Sequence, residues 1–250
     1  MARRPVTPPL RQIDRSGMHR LLPSRYSEAG TVLDDLADDD DMLQKLIRLD
    51  GATNDRIQGE QFGLPGISTY ELVYGIPNAH IVRAAFLHPS PNGARFNGPD
   101  RGAWYAADRL ETSVAEVSYH KAKRLAEIIV PETATGVPES DASTYDDWLA
   151  DFHGEFHALE PAADYATCLA PEPVPACYGE SQKLAQQLLK DKSNGILYPS
   201  VRKKGGRCLV CFRPALVYRP RRAKRYLLSF HWRRDHYRQE VNEVPLQRSR

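Results

Sequence analysis

The chain has 250 residues and a mass of 28.2 kDa; 41% of the residues are hydrophobic, 26% are charged, and 34 Lys and Arg against 32 Asp and Glu leave a net charge of +2. That size admits one large domain or two small ones with a sizeable core, and near-neutral charge argues against wholesale nucleic-acid binding. No stretch approaches the ~18 apolar residues of a membrane helix, and the start Met1-Ala-Arg-Arg-Pro5 lacks a signal peptide's apolar segment, so the expectation is a cytoplasmic protein with its four Cys reduced.

Charge is neutral only on average. Residues 1–25 carry six Arg against Asp14, interleaved with Pro5, Pro8 and Pro9, and the first dozen or so residues read as a mobile tail. Glu28 and the Asp-rich run 34–41 follow. Leu43, Leu46, Ile47 and Leu49 then recur at helical spacing, which predicts a helix from near Asp39 to before Gly51, with the acids at its positive end. Residues 80–87 (His80 to Leu87) read as a strand closed by Pro89, Pro91, Asn92 and Gly93. Residues 94–96 and 103–106 read as two short strands of a hairpin, joined by Asn97-Gly-Pro-Asp-Arg-Gly102. Asp108 and Glu111 resemble a capping box, and Leu110, Val114 and Val117 extend a helix from about Arg109 to Ile128. After a Pro-rich connection, Glu180 to Lys192 predicts another helix, followed by strands over 195–201 and 208–212 that Leu216-Val217-Tyr218 extends. From Arg219 to Arg250, nine Arg and Lys224 face three acids, which reads as a solvated periphery. Short strands with two or three helices make the fold class α+β.

Several motifs have plain readings. Cys208-Leu-Val-Cys211 has zinc-site spacing, but Cys168 and Cys177 are nine apart and the residues around Cys208 alternate like a buried strand, so core thiols are expected and no metal. His153-Gly-Glu-Phe-His157 places Gly154 where a zincin needs its Glu. The basic C-terminus, with Tyr226, Trp232 and Tyr237, suits either nucleic acid or a solvated, partner-binding surface; direct DNA binding is not expected. In the stretch 93–120, Arg95, Tyr105 and Glu116 can be ordinary surface and half-buried residues. Against that, Glu116 and His120 are four apart on one helix face beside the stripe of Val114 and Val117, and such a polar pair can line a cleft.

These residues carry a resemblance. Gly-Ala-Arg95-Phe-Asn-Gly-Pro-Asp-Arg101-Gly-Ala-Trp-Tyr105, followed by Glu116 eleven residues on and by His120, resembles the signature of the RES domain, named for an Arg, a Glu and a Ser. The Ser corresponds to Ser200 in Gly-Ile-Leu-Tyr-Pro-Ser200-Val-Arg-Lys-Lys-Gly-Gly-Arg-Cys-Leu-Val-Cys, and His19-Arg-Leu-Leu-Pro-Ser-Arg-Tyr26 is similar to the opening of longer members. The match spans roughly residues 19–220, which implies a basic tail over 1–18, a catalytic domain over 19–220 and a basic extension over 221–250. The resemblance implies a single ADP-ribosyltransferase-like domain with small mixed or antiparallel sheets flanked by helices. It further implies a toxin of a bacterial toxin-antitoxin pair, with an Xre-type helix-turn-helix antitoxin as partner and NAD as substrate. Members degrade NAD, with water or phosphate as acceptor, or transfer its ADP-ribose to a protein acceptor.

The implied chemistry suits these side chains. Breaking the nicotinamide–ribose bond builds positive charge on the sugar, which a carboxylate stabilises while bonding a ribose hydroxyl; Glu116 is expected there. Arg95 is expected to grip the pyrophosphate, with Arg101 and Arg202 as further candidates. Tyr105 offers a flat face to the cationic nicotinamide. Ser200 can bond the amide or ribose, and His120 can orient Glu116 or accept a proton. No GxGxxG loop is present to hold NAD for hydride transfer.

Overall fold

A computed structural model describes residues 7–27, 63–128, 140–233 and 236–246. The acidic run and the helix expected from Asp39 lie outside them. Seven strands form one mixed sheet: β1 (Leu10–Pro23), β2 (Trp104–Ala107), β3 (Ser140–Ala158), β4 (Gly195–Pro199), β5 (Arg207–Cys211), β6 (Tyr218–Arg233) and β7 (His236–Val244). The described residues also contain helices α1 (Ala79–Leu87), α2 (Leu110–Ile128) and α3 (Gly179–Lys190), so the protein is α+β. None of these helices is long and apolar enough to cross a membrane.

The strand order is β1-β2-β5-β4-β3-β6-β7, and β1 also pairs with β3. The pairings β1–β2, β2–β5, β5–β4, β4–β3 and β3–β1 therefore close a ring, from which β6 and β7 extend as an antiparallel flap. Only β3–β4 is parallel. Closure is possible because β3 is long: β1 pairs with it from Tyr145 to His157, β6 takes the other edge over residues 140–151, and β4 takes that edge at His157 and Ala158. A bend in β1 relieves the curvature. Its register breaks between Arg15 and Met18, where Gly17 has φ +67°, and the Gly17 N–H donates to Asp151 Oδ1 at 2.7 Å.

Three buried clusters hold the layers. Trp104, Phe152, Phe156, Phe86 and Val82 join α1 to the ring. Phe96, Leu159, Leu184, Leu188, Ile196 and Val210 seat α3. Leu21, Tyr145, Leu228 and Phe230 receive the apolar stripe of α2 at Leu110, Val114 and Val117. The helix expected from Arg109 to Ile128 is present, as is the one expected from Glu180.

Four expectations are corrected. Residues 80–87 form α1, since Ile81 and Val82 meet Ala85 and Phe86 at i,i+4 and bury one face. Residues 94–96 do not pair with β2. Only an Ala94–Asn97 bridge forms, and β2 instead joins β5 and β1. Pro214–Leu216 is a 3-10 turn, and the sheet resumes at Tyr218. Finally, residues 10–18, 219–233 and 236–244, expected as a basic tail and solvated periphery, lie in strands. Their basic residues meet carboxylates: Arg225 binds Asp146 at 2.6 and 3.1 Å, Arg221 binds Asp151 at 3.1 Å, and Lys224 binds Glu243 at 2.7 Å.

Candidate functional site

The site forms where α2 leaves the sheet. The Leu21 N–H of β1 donates to Ser113 Oγ at 3.2 Å, which pins one turn of the helix to the strand. Glu116 lies on the next turn, half-buried, above the end of β4. There Ser200 Oγ accepts from the Arg202 and Lys203 N–H groups at 3.1 and 3.0 Å and donates to Glu116 Oε1 at 2.6 Å. A hydroxyl has one proton and two lone pairs, so Ser200 is fully used and its proton can point only at the carboxylate. Cys208 Sγ lies 4.0 Å from the same oxygen. Burial, followed by the charge of Glu116, pushes its thiol up, so the cysteine stays protonated beside the carboxylate.

Arg95 and Tyr105 come from the adjoining loop and from β2. The Arg95 guanidinium is buried, donates to the Cys168 and Ala170 carbonyls at 3.0 and 2.9 Å, and lies over the Tyr178 ring at 5.1 Å. It has no carboxylate partner among the described residues. Tyr105 accepts from the Phe96 N–H at 2.9 Å and donates to Asn97 Oδ1 at 2.8 Å. These bonds replace the expected hairpin ladder. Burial raises the phenol's pKa, so it is neutral. Arg20 of β1 donates to the Tyr105 carbonyl at 3.3 Å and lies over Trp104 at 4.9 Å; burial lowers its pKa to about 10, still cationic at neutral pH.

These groups face a cavity of about 590 Å³, within the range of small-molecule sites. Among the described residues its wall carries the cations Arg20, Arg95, Lys121, Lys123, Arg124 and Arg202 against a single carboxylate, Glu116. Arg202 stacks at 3.3 Å from the Tyr119 ring centroid and donates to the Pro171 carbonyl at 2.6 Å. Its Nε is buried with no partner among the described residues. Lys123 Nζ donates to the Val174 carbonyl. His120 is exposed at this wall. Desolvation by the surrounding atoms, then the charges of Arg202, Arg95, Lys123 and Arg124, lowers its pKa to about 4, so the ring is neutral at pH 7.

Of the residues expected from sequence, Arg95, Tyr105, Glu116, His120 and Arg202 line this cavity, and Ser200 backs Glu116. Arg101 does not line it. Its buried guanidinium donates to the Gly66 carbonyl at 2.9 Å, to Glu71 Oε2 at 3.0 Å and to the Phe212 carbonyl, bracing three chain segments away from the cavity. His153 and His157, whose spacing lacked a zincin's Glu, have separate partners: His153 meets Asp14 at 2.6 Å, while His157 meets Ser193 Oγ at 2.8 Å. Cys168, Cys208 and Cys211 are buried free thiols, as the alternating pattern implied. Sequence reading missed Lys121 and Arg124, although Glu116, His120 and Arg124 repeat at i,i+4 on α2 and Lys121 follows Val117. It also missed His19 and Arg20, whose signal was hidden because β1 was not expected.

A family model described as the RES domain matches residues 72–233. No curated protein matches significantly. Among solved structures, the chain is similar to a chain in the crystal structure of the M. tuberculosis MbcT-MbcA toxin-antitoxin complex, with 14% identity and a TM-score of 0.40 over 86% of this chain and 85% of that one.

Proposed function

Because the chain belongs to the RES domain family, we propose that its cavity binds NAD and cleaves the nicotinamide–ribose bond, and that the protein is the toxin of a toxin-antitoxin pair that depletes cellular NAD. The observation that carries this reading is the pairing of a hydroxyl-fixed carboxylate, Glu116, with a wall otherwise cationic. A dinucleotide brings the complementary pattern: two phosphate charges for the arginines, and a ribose that becomes positive as the bond breaks. Glu116 stabilises that developing charge. Arg95 supports pyrophosphate binding, since carbonyl partners leave its charge uncancelled. The neutral ring of Tyr105 packs against nicotinamide, and neutral His120 serves as a hydrogen-bonding group at the ribose. The catalytic unit in this reading extends from residue 10 to residue 244, because β1 closes its sheet and β6 and β7 extend it. The partner is an Xre-type antitoxin that covers the cavity, and no metal takes part.

Purified protein incubated with NAD releases nicotinamide, and Glu116→Gln abolishes the release while thermal unfolding stays unchanged. Full turnover by a folded Glu116→Gln protein refutes the assignment. Labelled NAD distinguishes acceptors: label entering protein marks ADP-ribosyl transfer, and label remaining small marks hydrolysis or phosphorolysis. A purely nucleic-acid-binding role is disfavoured, because Arg221, Lys224 and Arg225 are already engaged with Asp151, Glu243 and Asp146.

A further inference from the structure

We propose that His19 and Asp147 form a dyad that deprotonates the acceptor attacking the ribose, an assignment that rests on the NAD-cleaving role of the cavity. His19 lines that cavity from β1, beside β2, where its Cα partner is Ala107. Its Nδ1 meets Asp147 Oδ2 at 2.9 Å. A carboxylate can only accept, so Nδ1 carries the proton and Nε2 presents a lone pair. The two residues are a diagonal pair on one sheet face: His19 faces Leu149, and Asp147 is two residues along β3 from it.

The surroundings of Asp147 set it apart from the other buried aspartates of β3. Asp146 is met by Arg225, Arg222 and Ser24; Asp151 is met by the Gly17 N–H, Arg221 and Arg219. Both show how this fold satisfies a carboxylate whose task is structural. Asp147, only 2% exposed, has the imidazole as its one hydrogen-bond partner among the described residues, and its Oδ1 is buried without any. It also sits where the β3–β6 register shifts between Asp146 and Trp148, an irregularity of the kind that re-aims a side chain toward a site. Its one hydrogen bond therefore goes to this ring, fixing the tautomer and stabilising the imidazolium that forms on proton uptake.

In the step, His19 Nε2 accepts the proton of the acceptor O–H as the acceptor oxygen bonds to C1′ of the ribose. The C1′–N bond breaks, and its electron pair stays on the nicotinamide nitrogen, which leaves neutral. With water the products are ADP-ribose and nicotinamide, and His19 returns the proton to solvent. His19 is thus a catalytic base and Asp147 a positioning residue. Glu116 remains free to stabilise the sugar cation, so the two acidic groups of the site divide the work.

The test measures nicotinamide release with water and with azide, a nucleophile that has no proton to remove. His19→Ala lowers turnover with water about 100-fold, the scale of general-base catalysis, while NAD affinity by titration calorimetry is retained. Azide restores release to His19→Ala but not to Glu116→Gln. Asp147→Asn lowers kcat and leaves KM in place. His19→Gln serves if the alanine variant is unstable, and the wild type supplies its own readout: a solvent deuterium isotope effect on turnover with water that azide removes. A folded His19 variant with unchanged turnover, or a lack of azide rescue, overturns the dyad alone. A wild type that releases no nicotinamide overturns the underlying reading of the cavity, a different and distinguishable failure.

Discussion

Ser200→Ala is the substitution whose effect follows most directly from the geometry. The hydroxyl donates to Glu116 Oε1 at 2.6 Å while holding two backbone N–H groups, and nothing else among the described residues hydrogen-bonds that carboxylate except the distant Cys208 thiol. A hydrogen bond to a charged group is worth about 1.5–3 kcal/mol. If that energy is realised only when the carboxylate faces the developing sugar cation, its loss lowers kcat roughly 10- to 100-fold, at 1.36 kcal/mol per tenfold, with KM unchanged. Two N–H groups also lose their acceptor, at about 1–3 kcal/mol if water does not replace it. At roughly 2–4 °C per kcal/mol for a chain of this size, Tm falls by several degrees. Continuous nicotinamide-release kinetics together with a thermal melt read both effects. A Ser200→Ala protein within about twofold of wild-type kcat, whatever its Tm, refutes the claim that this hydroxyl positions Glu116.

Arg101→Lys separates bracing from binding: the fork on Gly66, Glu71 and Phe212 is lost, so Tm falls, while KM for NAD stays unchanged in the same assay. Gly102→Ala places a Cβ 2.2 Å from the Ala85 carbonyl oxygen, backbone against backbone, and is expected to cost at least about 4 kcal/mol, read as loss of the folded state in a chemical melt. Burial alone would raise Asp146 and Asp151, yet their hydrogen bonds and neighbouring arginines hold both below the ordinary range. Their stabilisation is therefore complete above the unfolded value of about 3.9 and is lost as pH falls through the lower folded values, so Tm measured from pH 5 downward drops steeply below about pH 4. His120 acts earlier and in the same direction. The unfolded chain takes its proton near pH 6.5 while the folded ring waits until about 4, and His120→Ala flattens that part of the Tm profile.

The parts of this fold that depend on local pattern were legible, and the parts that depend on closure were not. The stripe Leu110, Val114, Val117 announces α2 because one face meets the core, and α3 follows the same logic. Strand β3 carries no such announcement. Both its faces are covered around residues 145–148, so Tyr145, Asp146, Asp147 and Trp148 are all buried and the alternation that marks a strand disappears. The basic segments misled for a related reason. An arginine-rich run reads as solvated unless its carboxylate partners are known, and those of Arg221 and Arg225 lie 70 and 79 residues away on β3. Arg101 failed as a site residue although it lies in the same motif as Arg95. The two differ only in where the loop turns them, which no spacing encodes.

The arginines of this protein are held in two ways, and the difference separates scaffold from site. Arg225 forms a bidentate pair with Asp146, and Arg221 pairs with Asp151, so each charge is cancelled locally. Arg95 donates instead to the Cys168 and Ala170 carbonyls and Lys123 to that of Val174, while Arg202 donates to that of Pro171 and has Glu172 as a looser ion-pair partner at 3.7 Å. Carbonyls satisfy N–H geometry and fix the side chain without supplying a counter-charge, which leaves the positive charges of Arg95 and Lys123 uncancelled at the cavity wall. Holding uncompensated cations this way costs stability, and the cost is recovered only when an anion enters. The segment 168–174 thus orients three cations for a polyanionic ligand, and its Glu172 supplies a carboxylate to Arg202 alone among them. Glu116, held from behind by Ser200, is the one place on that wall where a cation can form.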